Sequence, residues 1–258
     1  MKKFTKVVSL MLAAILMMAL CTACGGDSKK DDSTITFGTN AEFPPFEYVT
    51  AKGVIGEFDG IDMAIAKQIG EDNGVEAKIE NMEFDSLLLA LENGQVDAVI
   101  AGMTITDEKK DAVDFSEPYY TAKQVMIVKE DSDIQKASDM ADKKIVVLQG
   151  FTGETCVNEM GYKYESFKKG TEAIMELVNG KCDVVVIDSA TAEKYVNDNE
   201  GLKIVEDNDA FEAEEYGIAV KKGNTELLDK INKSLDKMLE DGTISELSAK
   251  YAESSDAE

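Results

Sequence analysis

The apolar and polar positions of this chain sort into short buried strands alternating with amphipathic helices. Residues 34–38 read as a first strand and 75–82 as a second. Residues 96–101 form an apolar run broken only by Asp97, the pattern of a strand covered on both faces. Asp62 is placed to cap a helix over 63–72. A second helix over 87–92 ends at Asn93-Gly94, where glycine tolerates the left-handed turn that closes a helix. Further strands are expected over 124–129, 144–148 and 216–220, and amphipathic helices over 227–239 and 244–251. Strands and helices alternating in this way predict an α/β fold.

One unit of the pattern occurs twice. Asn93-Gly94 leads through Asp97 into the buried run ending at Ala101, and Asn179-Gly180 leads through Asp183 into Val184 to Asp188. Each copy follows an amphipathic stretch, and in the alignment of the two Gly102 matches Asp188. Polar groups at the carboxyl ends of strands are where open α/β sheets bind ligands. Two such halves imply a cleft between two lobes. Around it, Pro44-Pro45 forbids helix and stiffens the loop after the first strand, which carries Asn40, Glu42 and Phe43. Of the loop's aromatics, Phe46 is expected in the core and Phe43 at the cleft. The helix start after Gly150-Phe151-Thr152 can hold an anion on free N–H groups, or Thr152 can simply cap it.

At the amino terminus, Lys2, Lys3 and Lys6 precede an apolar run over 7–20, a leader rather than a membrane span. Residues 20–26 (LCTACGG) resemble a lipoprotein processing site, with Cys24 as the acylated residue. The leader would then be 1–24 and a flexible tether 25–33. Cys156 and Cys182 sit in apolar patterns and are read as free thiols. The formal charge of −24 argues against nucleic-acid binding. The sequence contains no His, so serine–histidine and cysteine–histidine catalysis are excluded. All 27 basic residues are Lys. No metal or other cofactor is expected.

Five segments in order, TNAEFPPFEY, AGMTITDEKK, VDFSEPYY, VVLQGFTGE and VVVIDSA, resemble the bacterial extracellular solute-binding proteins for polar amino acids, the receptors of ABC importers. The resemblance spans about residues 34–250. It implies a two-lobed, periplasmic-binding-protein-like (type II) fold: lobe one over 34–122 plus 217–258, lobe two over 123–216, with two hinge crossings near Ala122-Lys123 and Glu215-Tyr216. It also implies a free amino acid as ligand, a permease as partner, a monomer, and a lipid-anchored position on the outer face of a cell membrane, that of a Gram-positive cell, or the periplasm of a Gram-negative one.

The resemblance assigns roles as well. Asp188 would take the ligand ammonium, where its alternative is to cap the next helix. Gly102 and the Thr104 hydroxyl would share that ammonium. The N–H groups of Thr104 and Thr152 would hold the carboxylate, with Lys109 standing where the family has an arginine. Lysine keeps the charge but loses the planar fork. Phe43 and Phe84 would wall the ligand side chain, and Asn40, Glu42 and Gln149 would meet its far end. Glu42 favours a basic or amide side chain over an acidic one. Two other functions fit the same fold, a dehydratase-like enzyme and an amino acid sensor domain. A free zwitterion accounts for the cleft residues without a catalytic acid or base.

Overall fold

The structure is a computed structural model, and it describes residues 33–253. The leader, Cys24 and all but the last residue of the tether lie outside the described residues. In chain order the strands are β1 (Thr34–Thr39), β2 (Glu42–Phe43), β3 (Glu47–Val49), β4 (Phe58–Asp59), β5 (Glu76–Asn81), β6 (Ala98–Val99) and β7 (Val113–Phe115). They continue as β8 (Tyr120–Lys129), β9 (Ile145–Leu148), β10 (Tyr164–Phe167), β11 (Val184–Asp188), β12 (Leu202–Val205), β13 (Ala213–Tyr216) and β14 (Ala219–Lys221). The helices are α1 (Ile61–Asn73), α2 (Leu87–Glu92), α3 (Asp107–Ala112), α4 (Thr152–Glu159), α5 (Gly170–Val178), α6 (Ser189–Asp198), α7 (Thr225–Glu240) and α8 (Thr243–Glu253).

The strands form two main sheets. The first runs β5-β1-β6-β14-β7 and the second β10-β9-β11-β8-β12. In each, a parallel set ends against antiparallel neighbours: β14 lies antiparallel to β6 and β7, and β8 lies antiparallel to β11 and β12. The chain passes between the sheets twice, and the two passages pair with each other. Residues 120–123 at the start of β8 lie antiparallel to β13, with Tyr120 opposite Tyr216 and Lys123 opposite Ala213. A β2-β3-β4 meander sits beside the first sheet.

The two copies of the repeated unit close their helices alike. Gly94 and Gly180 both take positive φ, and their N–H groups donate to Leu91 O and Leu177 O. Strand β11 is buried along its length, as its unbroken apolar sequence requires. Its counterpart β6 keeps only two residues, although Ile100 N still donates to Gly38 O. The strand expected over 216–220 is split at Gly217, where a Cβ would meet the Ile105 side chain at 2.8 Å. Strand β8 begins at Tyr120 rather than at Gln124, since its first residues pair with β13. One apolar core is continuous from the first sheet to the second through Phe43, Phe84 and Phe151.

Asp62 departs from its expected capping role. Gly60 occupies the cap position, and Asp62 lies inside the first turn with its side chain buried. Its Oδ2 accepts from the Gly102 N–H at 2.8 Å and from the Tyr119 hydroxyl at 2.9 Å. Burial lifts its carboxyl to about 6, against the two hydrogen bonds that favour the charged form. Buried Glu47 stands beside it, its own carboxyl pushed well up by burial and then by Asp62. Asp62 thus fixes the turn at the carboxyl end of β6. Asp62→Ala leaves two buried donors without an acceptor and is expected to cost about 2–4 kcal/mol in a urea melt. Asp62→Asn keeps an acceptor and is expected to cost clearly less. An alanine variant as stable as the wild type would contradict this role.

Candidate functional site

The carboxyl ends of β6 and β11 face each other across a gap bridged by β13. Gly102 takes φ 53, and a Cβ there would lie 2.9 Å from the Phe43 ring, so the chain turns here only as glycine. Thr104, two residues on, is buried and pairs with Tyr216 in an isolated bridge. Asp188 ends β11 and is 3% exposed. It holds the cap position of α6, yet its side chain makes no capping bond. Instead Oδ1 accepts a hydrogen bond from the Tyr216 hydroxyl. Asp188 therefore points inward, toward the gap.

Sequence reasoning missed Glu214. Its Oε2 accepts from the Thr104 hydroxyl at 2.9 Å, and Thr104 Oγ1 in turn accepts from the Thr152 hydroxyl at 3.0 Å. Thr152 is thus turned toward Thr104 from the start of α4, and its side chain does not cap that helix. The signal for Glu214 was present: side chains alternate along a strand, so an inward Tyr216 puts Glu214 on the same face. Gln124, opposite Asp188 in the β8–β11 register, lies beside both carboxylates.

These two carboxylates perturb each other. Burial lifts Asp188 to about 7, with Glu214 adding to the rise and Tyr216 and Gln124 opposing it. Burial raises Glu214 too, against the hydrogen bond from Thr104 and the pull of Lys109. Lys109 Nζ donates to Thr104 O at 3.2 Å, and burial lowers its ammonium against the raising effect of Glu214, Glu108 and Asp188. Lys110, its neighbour, is exposed and turns to Asp107 instead. With both carboxylates ionised, the centre holds two negative charges and one positive.

The remaining predicted residues lie around this centre, several with their polar atoms engaged. Asn40 is 5% exposed and its amide donates to Met82 O at 2.9 Å. Glu42 is ion-paired with Lys169 at 2.7 Å, a lysine the sequence did not single out. Gln149 donates to Asp85 Oδ2 at 3.0 Å. Phe43 is fully buried and Phe84 nearly so, and Phe46 packs edge-on against Tyr120 and Tyr216 at the passages. A cavity of about 570 Å³ opens beside them, with Phe84, Lys109, Gly150 and Thr152 in its wall and Asp85, Glu108 and Glu159 as its acids. A smaller cavity of about 270 Å³ lies apart, between Pro44, Tyr48, Lys194 and Tyr251. We place the site beside the larger one, because Lys109 and Thr152 line it and both bond to Thr104, which donates to Glu214.

Among the described residues no cluster of three or more His, Cys, Asp or Glu can hold a metal, and no helix is long and apolar enough to cross a membrane. Cys156 and Cys182 are free.

Comparison with known proteins places this architecture. The arginine-binding extracellular protein ArtP of Bacillus subtilis is 35% identical over 250 residues, covering 94% of this chain and 96% of that protein. The ABC transporter glutamine-binding protein GlnH of the same organism is 32% identical over 277 residues, covering 100% of each. The crystal structure of an ancestral amino acid-binding protein, AncCDT-1, a precursor of cyclohexadienyl dehydratase, superposes with a TM-score of 0.79 at 34% identity, covering 86% of this chain and 96% of that one. The profile of bacterial extracellular solute-binding proteins, family 3, matches residues 35–254, and the chain belongs to that family.

Proposed function

We propose that this protein is the receptor of an amino acid ABC importer, that it captures one L-amino acid between its sheets, and that it delivers it to a permease. The observation that carries the reading is buried Asp188 and half-buried Glu214 gathered around Thr104 and Tyr216, with Lys109 on the Thr104 carbonyl. A free amino acid brings an ammonium and a carboxylate, and each needs a fixed partner once water is removed. Asp188 and Glu214 take the ammonium, with the Thr104 hydroxyl beside them. Lys109 and the N–H groups of Thr104 and Thr152 take the carboxylate. The relatives' ligands, arginine for ArtP and glutamine for GlnH, support this class.

Charge narrows the class. A zwitterion leaves the centre one negative charge in excess, whereas a ligand carrying one further positive charge neutralises it. The acids on the cavity wall add to the same field. The receptor therefore prefers a basic side chain to a neutral amide. The residues that move together are 34–122 plus 217–258 on one side and 123–216 on the other, with the paired passages as the hinge. The chain works as a lipid-anchored monomer outside the cell, held through Cys24. It is not an enzyme: its buried carboxylates have partners in a binding role and no reaction is required of them. AncCDT-1 lends the dehydratase alternative its one support.

Two measurements test this. Asp188→Ala is expected to weaken binding of a basic amino acid at least about tenfold by calorimetry, since a buried ammonium loses its counter-charge. The folded protein holds a proton on Asp188 up to about pH 7, well above its unfolded value. An incoming ammonium must displace that proton, so wild-type affinity should rise with pH from about 5 to 7 and then level off. Affinity unchanged in the variant, or a pH profile flat across that window, would remove Asp188 from the site. Glu214→Gln is expected to narrow the preference for lysine over glutamine by about tenfold. An unchanged ratio would contradict the charge argument.

A further inference from the structure

A third ring crosses the gap. Phe151 precedes α4, is 6% exposed, and stacks on Phe84 with centroids 4.0 Å apart and planes 24° from parallel. The same ring lies 4.9 Å from Phe43, tilted by 40°. Phe43 and Phe84 come from the first sheet's side and Phe151 from the second's. Fully buried Phe43 lies against both Phe151 and Gly102. The Phe43–Phe84 slot is therefore filled by a side chain of this protein. On the outer side, the cavity of about 570 Å³ borders Phe84, Gly150 and Thr152, so there is space beside the loop for the ring to turn into. Gly150, at φ 80, supplies the turn that aims Phe151 inward.

We propose that Phe151 is the specificity gate of this cleft, an internal plug that a long flat or cationic ligand side chain must displace to reach Phe43 and Phe84. The inference rests on the receptor reading above and adds the residue that grades its ligands. Displacement costs two ring contacts, which a guanidinium or ammonium restores by lying against the two freed ring faces. A flexible aliphatic chain restores less. A ligand whose side chain stops short of the slot leaves Phe151 where it is. Contacts at the edges hold the plug's surroundings together: Lys169 on Glu42, Gln149 on Asp85, and Lys168 with Glu83 at 3.6 Å. These pairs are exposed and contribute little energy. The aromatic stack is the substantial contact.

The test is calorimetry of the wild type, Phe151→Ala and Phe151→Leu with L-arginine and with L-2,3-diaminopropionate, whose side chain ends one carbon beyond the α-carbon. Circular dichroism melts establish that each variant is folded. Without the plug, arginine should bind about tenfold more tightly to Phe151→Ala, while the short ligand changes less than about twofold. Phe151→Leu, which fills the slot without stacking, should give a smaller gain for arginine of the same sign and decides the matter if the alanine variant fails to fold. Weaker or unchanged arginine binding would overturn the gate, because Phe151 would then be a ligand wall or a bystander. Equal gains for both ligands would overturn it too, as the variant would have loosened the whole cleft. A wild type that binds neither ligand would instead sink the receptor reading, which separates the two failures.

Discussion

One buried carboxylate, Asp188, and one half-buried one, Glu214, near a single lysine set the terms for the rest of the site. Burial raises both carboxyls, and the charge of Glu214 lifts Asp188 further. Tyr216 donates to Asp188 and Thr104 to Glu214, which moderates the cost without supplying a counter-charge. Lys109 supplies one and is itself pulled down by burial. The remaining imbalance is a standing demand for a cation. In the proposed function an amino acid's ammonium meets it, which would make a pair that is unfavourable in isolation useful in a receptor.

The fold's contribution is to bring these groups from separate elements to one place. Asp188 comes from the end of β11, Thr104 from the turn after β6, Thr152 from the start of α4, and Glu214 with Tyr216 from β13. Because β13 pairs with the first residues of β8, the two passages between the sheets form one ribbon. On that ribbon Tyr216 bonds Asp188 and Glu214 accepts from Thr104. Asp62, behind Gly102, anchors the turn on the first side through the Gly102 N–H.

Much of this was legible in the sequence. The repeated Asn-Gly unit located both strand ends, and Asp188, Thr104, Lys109 and Thr152 do converge. Strands and helices were recovered wherever apolar periodicity was strong, as in β11, α7 and α8. What escaped depends on contacts distant in sequence. Asp62 looked like a cap, because short-range pattern carries no trace of Gly102 and Tyr119. Glu42 and Gln149 looked free for ligand, while Lys169 and Asp85, far along the chain, engage them. Asn40 holds a loop carbonyl. Glu214 was readable from strand alternation with Tyr216 but lay outside the motifs. Phe151 went unremarked between two residues chosen for their backbone, and only three-dimensional packing reveals which slot its ring fills.

The central claim is that net charge at the buried centre selects the ligand. Arginine and citrulline have nearly the same shape, and they differ by one positive charge. Calorimetry of both ligands on the wild-type protein, at about pH 7.5 and low salt, isolates that charge from size and hydrogen bonding. The account predicts arginine binding at least about tenfold more tightly, equivalent to about 1.4 kcal/mol. Citrulline binding as tightly as arginine, or more so, would contradict it.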